Sequence, residues 1–183
     1  VLFRSTDRGA PLHIIGLQSF YPRAEFGGPL VKDKVFLQHA VQYKYRANDV
    51  ASRPQSELRT SQRFSSFTRM DANLSPKHSL VALGGVFPAT SKYSTLGTFT
   101  PPNATADVKN RVDTAAATER ALLSDSTFLE STVEMNRYHV RVLPQGTLPM
   151  ELLPETTNGN FFNRQERTTS TYQLVETFNG AEG

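Results

Sequence analysis

The chain has 183 residues, of which 38% are hydrophobic and 20% are charged. This composition is too apolar for a disordered polyelectrolyte and too polar for a bundle of membrane helices, and the length suits one domain. The net charge of +3 is the difference between 20 basic and 17 acidic residues spread along the chain, so nucleic acid is not an expected partner. The absence of cysteine excludes disulfides, thiol nucleophiles and cysteine-based zinc sites.

The first five residues, 1–5, follow no initiator methionine and read like the translation of a sequencing adapter. We therefore expect residues 1–5 to be a scar and residues 6–183 to be a partial stretch of a longer protein.

Residues 34–46 alternate between two sets of side chains, and this period of two predicts a β-strand. The strand exceeds the usual length of about five to six residues in globular sheets. No stretch of the chain approaches the roughly 20 apolar residues of a membrane-spanning helix, whereas a strand of this length suits a tilted membrane pass. One face would carry Val35, Leu37, His39, Val41, Tyr43 and Tyr45, and the other Phe36, Gln38, Ala40, Gln42 and Lys44.

A hairpin is predicted next. A loop leads to an extended segment over 60–74, and a tight turn at 75–78 leads to a second one over 79–87. The first of these two strands has one polar face, which includes Ser65, Phe67, Arg69, Asp71 and Asn73.

The second half of the chain continues the pattern, with one segment that suits two element types. Residues 108–123 combine a possible helical stripe with a density of Ala and Thr that also suits a strand, so both remain open. A turn at 124–126 introduces a long strand over 127–142, and a last extended run covers 168–178.

Short turns therefore alternate with long loops, which are expected at 47–59, 88–110 and 143–167. Membrane barrels show this asymmetry, with short periplasmic turns and longer extracellular loops, while soluble sandwiches have shorter strands. The predicted fold class is all-β, an antiparallel transmembrane β-barrel fragment with about six to eight long strands. A soluble all-β binding or shell-forming protein is the alternative.

A local motif adds specificity to this prediction. The segment Gly27–Phe36, GGPLVKDKVF, resembles a signature near the start of the barrel in TonB-dependent receptors, especially those with a carboxypeptidase-regulatory-like amino-terminal domain. In that family it closes one strand, makes a periplasmic turn and opens the next. Two further segments, 67–80 and 159–164, are similar to a strand-turn-strand pattern and a loop-to-strand segment of the same group.

The resemblance implies a barrel of 22 strands filled by a plug domain, in the outer membrane of a Gram-negative-type bacterium. The implied function is TonB-dependent uptake of a scarce nutrient, such as a metal chelate, a vitamin or an oligosaccharide. The implied partners are outer-membrane lipid, the TonB complex through a plug region outside this chain, and a small-molecule or oligosaccharide ligand. No catalytic, cofactor-binding or metal-binding residue is predicted, and no enzyme activity is expected.

Several polar and aromatic residues are candidates for lesser roles. On a barrel strand, Arg69, Asp71 and Asn73 would line the lumen. The loop residues 161–164 could contact a ligand from outside or serve loop packing. Aromatic residues near strand ends fit an interfacial girdle, although tryptophan is absent: Tyr43, Tyr45, Phe87, Tyr93 and Tyr138.

Two more specific hypotheses, a metal site shared by the histidines and a phosphatase fragment, have little support in the sequence. The four histidines, His13, His39, His78 and His139, are too widely spaced in sequence to suggest a shared metal site, so structural roles are expected. Residues 4–7, RSTD, are similar to a motif of histidine acid phosphatases, whose arginine grips phosphate. That chemistry also needs an Arg-His-Gly segment and a His-Asp pair, which the sequence lacks, so a phosphatase fragment is the third alternative.

Overall fold

The computed structural model describes residues 2–5, 14–54 and 56–180, and within them the chain is all-β, with antiparallel pairing throughout. Its helical structure in this part of the chain is limited to one 3-10 turn, Pro102–Ala104. The strands are β1 (Leu2–Ser5), β2 (Ile14–Phe20), β3 (Arg23–Val31), β4 (Val35–Asp49), β5 (Leu58–Ser75), β6 (His78–Lys92), β7 (Ala106–Ser124), β8 (Thr127–Pro144), β9 (Glu151–Leu152), β10 (Thr157–Asn158) and β11 (Gln165–Gly180).

The strands from β4 onward form an up-and-down meander. The described sheet has the order β1-β2-β4-β5-β6-β7-β8-β11, with β3 also paired to β4, while β9 and β10 form a separate small hairpin. Short turns at 32–34, 76–77 and 125–126 lie at one end of the sheet, and the loops 50–57, 93–105 and 145–164 lie at the other. Over the described residues the sheet is open, because β11 pairs only with β8 and does not meet the opposite edge.

The strands β2 and β3 both run beside β4, with a break between them at Pro22. Phe20 lies opposite Tyr45 and Arg23 lies opposite Gln42, so both strands keep the same register against β4. Between them, the carbonyl of Pro22 still accepts a hydrogen bond of 3.0 Å from the amide of Tyr43. Proline has no amide hydrogen, so Pro22 cannot donate the second hydrogen bond of this pair, which accounts for the break between the two strands.

The ambiguous segment 108–123 is a strand, since β7 runs over Ala106–Ser124 and pairs along its length with both β6 and β8. Alanine favours helix in isolation, but hydrogen bonding to two neighbours overrides that weak preference. The predicted strand over 34–46, the turn at 75–78 and the turn at 124–126 are confirmed as the start of β4 and the two hairpin turns. Residues 2–5 pair with β2 as β1, and their proposed origin as a scar stays a prediction.

The expected loops 47–59, 88–110 and 143–167 were too long. The ladder between β4 and β5 extends to the pair Asp49 and Leu58, so polar residues continue the strands beyond the alternating part. Likewise β6 ends only at Lys92, and β8 continues to Pro144. Backbone pairing does not require an apolar side chain, which is why hydrophobic alternation underestimates strand length.

Buried side chains concentrate at the loop end of the sheet, because the described chain has no second layer to cover either face. In the loop between β6 and β7, Leu96 is 2% exposed and Ala104 is fully buried. They lie among other buried residues of the strand ends and loops, which include Ala47, Thr105, Ala106 and Asn160.

Gly159 shows why glycine is needed in the last loop. Its φ is +77°, and a Cβ atom there would lie 1.7 Å from the carbonyl oxygen of Pro149. The adjacent Asn160 side chain accepts a hydrogen bond from the amide of Gly146 and donates one to its carbonyl oxygen. Residues 158–160 therefore form a bend held by backbone and side-chain contacts.

We expect Gly159→Ala to lower the free energy of unfolding by roughly 2 kcal/mol or more, because it combines backbone strain with a steric clash. Gly146→Ala is the matched control in the same loop, since its Cβ would be 3.7 Å from Asn160, an ordinary contact. Urea unfolding of both variants measures the difference. Equal stability of the two would contradict the described loop.

The aromatic ring of Phe87 packs directly over Gly85. A Cβ at Gly85 would lie 2.6 Å from Cζ of Phe87, so the ring covers the glycine, whereas a Cβ at Gly84 would be 3.6 Å from the nearest atom. An aromatic ring over a strand glycine shields backbone that has no side chain of its own.

The variant Gly85→Ala should displace the Phe87 ring and destabilise the sheet by about 1 kcal/mol. Gly84→Ala, one residue away on the opposite face, should have little effect. A double-mutant cycle with Phe87→Leu tests the cause, because the two changes should be strongly non-additive if the ring is what the new methyl group displaces. Additive losses would show that the ring is not involved.

Candidate functional site

The two faces of β4 and β5 differ in polarity. We name the faces of the sheet after Arg69 and Met70, which are consecutive residues of β5 and point to opposite sides. The register places Gln38 opposite Arg69 and Leu37 opposite Met70. The Arg69 face of these strands carries mainly amide and charged groups, and the Met70 face carries mainly apolar ones, including Val35, Leu37, Val41, Met70 and Ala72.

A network of charged and amide groups occupies the Arg69 face towards the short-turn end. Arg69 donates from Nη2 and Nε to the carboxylate of Asp71, at 2.7 Å and 2.9 Å. On the neighbouring strands, Glu25 accepts hydrogen bonds from Arg23 at 2.7 Å and from Gln38 at 2.8 Å. The carboxylates in this network are therefore each held by at least one donor.

The structure brings together two of the three predicted polar residues. Arg69 and Asp71 form an ion pair, and Asn73 follows at the next position on the same face, opposite Ser79. The amide of Asn73 donates to the carbonyl of Lys34 at 2.7 Å, which fixes the end of β5 against the first turn. Asn73 thus lies at the rim of the network rather than within it.

A cationic cluster occupies the same face nearer the loop end. Lys44 lies directly opposite Arg63, and Arg46 lies opposite Ser61. These residues surround a depression of about 410 Å³, lined by Tyr21, Gln42, Lys44, Arg46, Ser61 and Arg63. Its lining contains three basic side chains and no carboxylate. We call this set the cationic cluster.

Sequence reasoning did not single out the cationic cluster. The alternation correctly puts Gln38, Gln42 and Lys44 on one face of β4, but it does not show which residues of another strand lie beside them. The useful signal was the pair of basic residues Lys44 and Arg46 at a spacing of two, which places both on one face. Their proximity to Arg63 depends on the pairing register, which is a property of the fold.

The loops pack on one another through Arg53. Its guanidinium donates to the carbonyl oxygens of Gly97 and Thr98, at 2.6 Å and 3.3 Å, and to the carboxylate of Glu57 at 2.9 Å. Only 14% of its side chain is exposed. One arginine therefore ties the loop between β4 and β5 to the loop between β6 and β7.

The candidate ligand residues 161–164 lie just before β11. The rings of Phe161 and Phe162 are tilted against each other, with centroids 4.9 Å apart, and Phe162 is 73% exposed. Asn163 is half-buried and Arg164 is exposed. The structure places these four residues far from the cationic cluster in the order of the sheet, because four strands lie between β11 and β4.

The three described histidines have separate partners. His39 and His139 each lie 2.7 Å from a threonine hydroxyl, of Thr68 and Thr168, and His78 lies 2.9 Å from the carboxylate of Glu119. No three His, Asp or Glu side chains are grouped as metal ligands in the part of the chain that the structure describes. His13 lies outside the described residues, as do the side chains of the RSTD motif at 4–7.

The expected girdle residues do not share one face. Tyr43 belongs to the Met70 face, opposite Phe64, whereas Phe87 and Tyr138 both lie opposite Val112 on the Arg69 face. Strand sequences favour aromatic residues on either face, so their presence near strand ends did not determine their orientation.

Comparisons of the chain with protein-family models, with curated protein sequences and with solved structures find no match. No helix in the described residues has the length and hydropathy to span a membrane.

Replacing Arg53 tests the link between the loops. Arg53→Lys keeps the charge but lacks the planar fork that reaches several acceptors, so we expect a loss of about 1 to 2 kcal/mol in stability. Hydrogen exchange of the amides in 93–105 should become faster. The matched control is Arg59→Lys, at an exposed position on β5 next to the loop between β4 and β5. It should leave the stability and the hydrogen exchange of 93–105 unchanged. Unaltered exchange in Arg53→Lys would exclude the link.

Proposed function

We propose that this chain is part of the barrel wall of an outer-membrane receptor for TonB-dependent uptake of a scarce nutrient, and that it catalyses no covalent change. The observation that carries the proposal is the described meander of long strands, whose short connecting turns lie at one end and whose long connecting loops lie at the other. Outer-membrane barrels combine short periplasmic turns with longer extracellular loops in this way.

Strand length supports the proposal. The six long strands β4, β5, β6, β7, β8 and β11 contain 15 to 19 residues each. A tilted strand crosses the hydrocarbon core in about 9–11 residues, so these strands would cross it and extend beyond. Strands in ordinary soluble sheets rarely reach this length.

The position of the family-like motif also supports it. Within Gly27–Phe36, the residues up to Val31 end β3, residues 32–34 form a turn, and Val35 and Phe36 begin β4. This is the same order of strand end, turn and strand start that the resemblance implies. Asp33 in the turn has φ of +58°, a conformation in which Asp and Asn are enriched among non-glycine residues.

Towards the middle of β8 and β11, exposed apolar side chains on the Met70 face support a lipid-facing surface. Val133, Leu174 and Tyr172 on β8 and β11 are 57%, 66% and 74% exposed. Val133 and Leu174 lie opposite each other, and Tyr172 continues the same face. In this proposal the Met70 face contacts lipid and the Arg69 face lines the lumen, where Arg69, Asp71 and Asn73 would meet the transported ligand or the plug.

The open edges fit a larger sheet. Every residue of β11 is exposed, and its outer edge has no strand beside it in the described chain. Unpaired strand edges are avoided in membranes, because the free backbone groups cannot bond to water there. Additional strands of the same barrel would satisfy these groups. The ligand could be a metal chelate, a vitamin or an oligosaccharide.

The test is the behaviour of the complete gene product in detergent. A barrel should partition into the detergent phase and run on gels with heat-modifiable mobility. Partition into the aqueous phase without heat modification would favour the soluble all-β binding or shell-forming protein and reject the barrel.

A pair of adjacent variants sharpens this test. In a barrel, Val133→Arg would put a charge on the lipid face and cost up to about 2–4 kcal/mol near the bilayer midplane. Glu134→Arg, one residue along on the Arg69 face, should be tolerated in the lumen. In a soluble protein, the exposed Val133 should accept arginine with little effect. Refolding yield into lipid vesicles compares the two variants, and equal yields would count against the assignment of the faces.

A further inference from the structure

Three arginines, one each on β3, β5 and β7, are neutralised by a carboxylate of their own strand. Arg23 pairs with Glu25, Arg69 with Asp71, and Arg111 with Asp113, each across 2.7 Å and at a spacing of two residues. A carboxylate at this spacing lies on the same face as its partner and needs no other strand.

The cationic cluster lacks this neutralisation. The residues two positions from Lys44 are Gln42 and Arg46, and those two positions from Arg63 are Ser61 and Ser65. Arg46 donates instead to the side-chain oxygen of Asn48, at 3.0 Å, which leaves its charge uncompensated. None of the described ion pairs includes Lys44, Arg46 or Arg63.

The pairing register places two of these positive charges directly opposite each other, so they repel. Lys44 and Arg63 are cross-strand partners, and like charges in that position destabilise a sheet. A negatively charged group placed between them would convert this repulsion into attraction. The same face carries neutral donors around the depression, in the hydroxyls of Tyr21 and Ser61 and the amide of Gln42.

We propose that the cationic cluster binds a small anion that carries phosphate or carboxylate groups. Lys44, Arg46 and Arg63 would supply charge-assisted hydrogen bonds to its oxygens, and Tyr21, Ser61 and Gln42 would donate to its remaining acceptors. The depression of about 410 Å³ has the size of a site for a small ligand. This proposal concerns the residues of the cluster alone and holds whether the Arg69 face lines a barrel lumen or the surface of a soluble protein.

The experiment titrates the full chain with inorganic pyrophosphate and with citrate, by calorimetry, in neutral detergent or in buffer according to where the chain folds. We expect binding that weakens as ionic strength rises, because exposed charges are screened. The Lys44→Gln/Arg63→Gln variant should bind at least about tenfold more weakly, since it loses two charged donors. It should stay folded, because it also removes a cross-strand repulsion.

The matched control is Lys32→Gln/Lys34→Gln, which removes the same charge from the turn at the opposite end of β4. It should bind within about twofold of the unmodified chain, because the exposed turn is remote from the cluster and screened from it. Lys44→Glu is a second test, because it can pair with Arg63 and stabilise the sheet while abolishing anion binding. No binding by the unmodified chain, or equal losses in the Gln variants of cluster and turn, would overturn the proposal.

A lipid headgroup could supply the same phosphate chemistry as a free anion. Adding phosphatidylglycerol to neutral micelles separates these sources. Competition with pyrophosphate that requires Lys44 and Arg63 would identify the headgroup as a ligand of the cluster. Unchanged pyrophosphate binding would identify a soluble anion.

Discussion

The structure depends above all on the continuous ladder of backbone hydrogen bonds between antiparallel neighbours. The described chain has no second layer of sheet or helix, and its few buried residues lie mostly at the loop end. In contrast to a sandwich, where side chains between two sheets carry the stability, this molecule is held by pairing along its strands. Strand β11, for instance, pairs with β8 over all 16 of its residues.

The same ladder explains which parts of the fold were predictable from sequence. The alternation in 34–46 and the turn residues at 75–78 and 124–126 are local signals, and each corresponds to an observed strand or turn. The type of β7 was not predictable, because its alanines suit helix or strand until two neighbours pair with it. Strand ends were also missed, since polar residues such as Asp49 pair through their backbone without any hydrophobic pattern.

In the candidate site, too, contacts between residues close in sequence were predictable, whereas contacts that depend on strand pairing were not. Arg69 and Asp71 could be placed together from their spacing of two, because neighbours on one face of one strand are a local relation. The cationic cluster combines residues from β4 and β5 with Tyr21 from the link between β2 and β3. Its composition follows from register, so a sequence without known pairing contains the residues but not their arrangement. Charge balance on this face is therefore set by the fold rather than by composition.

The ladder between β5 and β6 is interrupted within its length, and the interruption has a mechanical consequence. Pro88 in β6 has no amide hydrogen, and the pairing of β5 with β6 omits the rows of Phe64 and Ser65 while it continues on both sides of them. A sheet bends most easily where its hydrogen bonds are fewest, and the small residues Gly84 and Gly85 lie close by on the same strand. Bending between β5 and β6 should therefore concentrate at the rows of Phe64 and Ser65, while the rows on either side stay fixed by their hydrogen bonds.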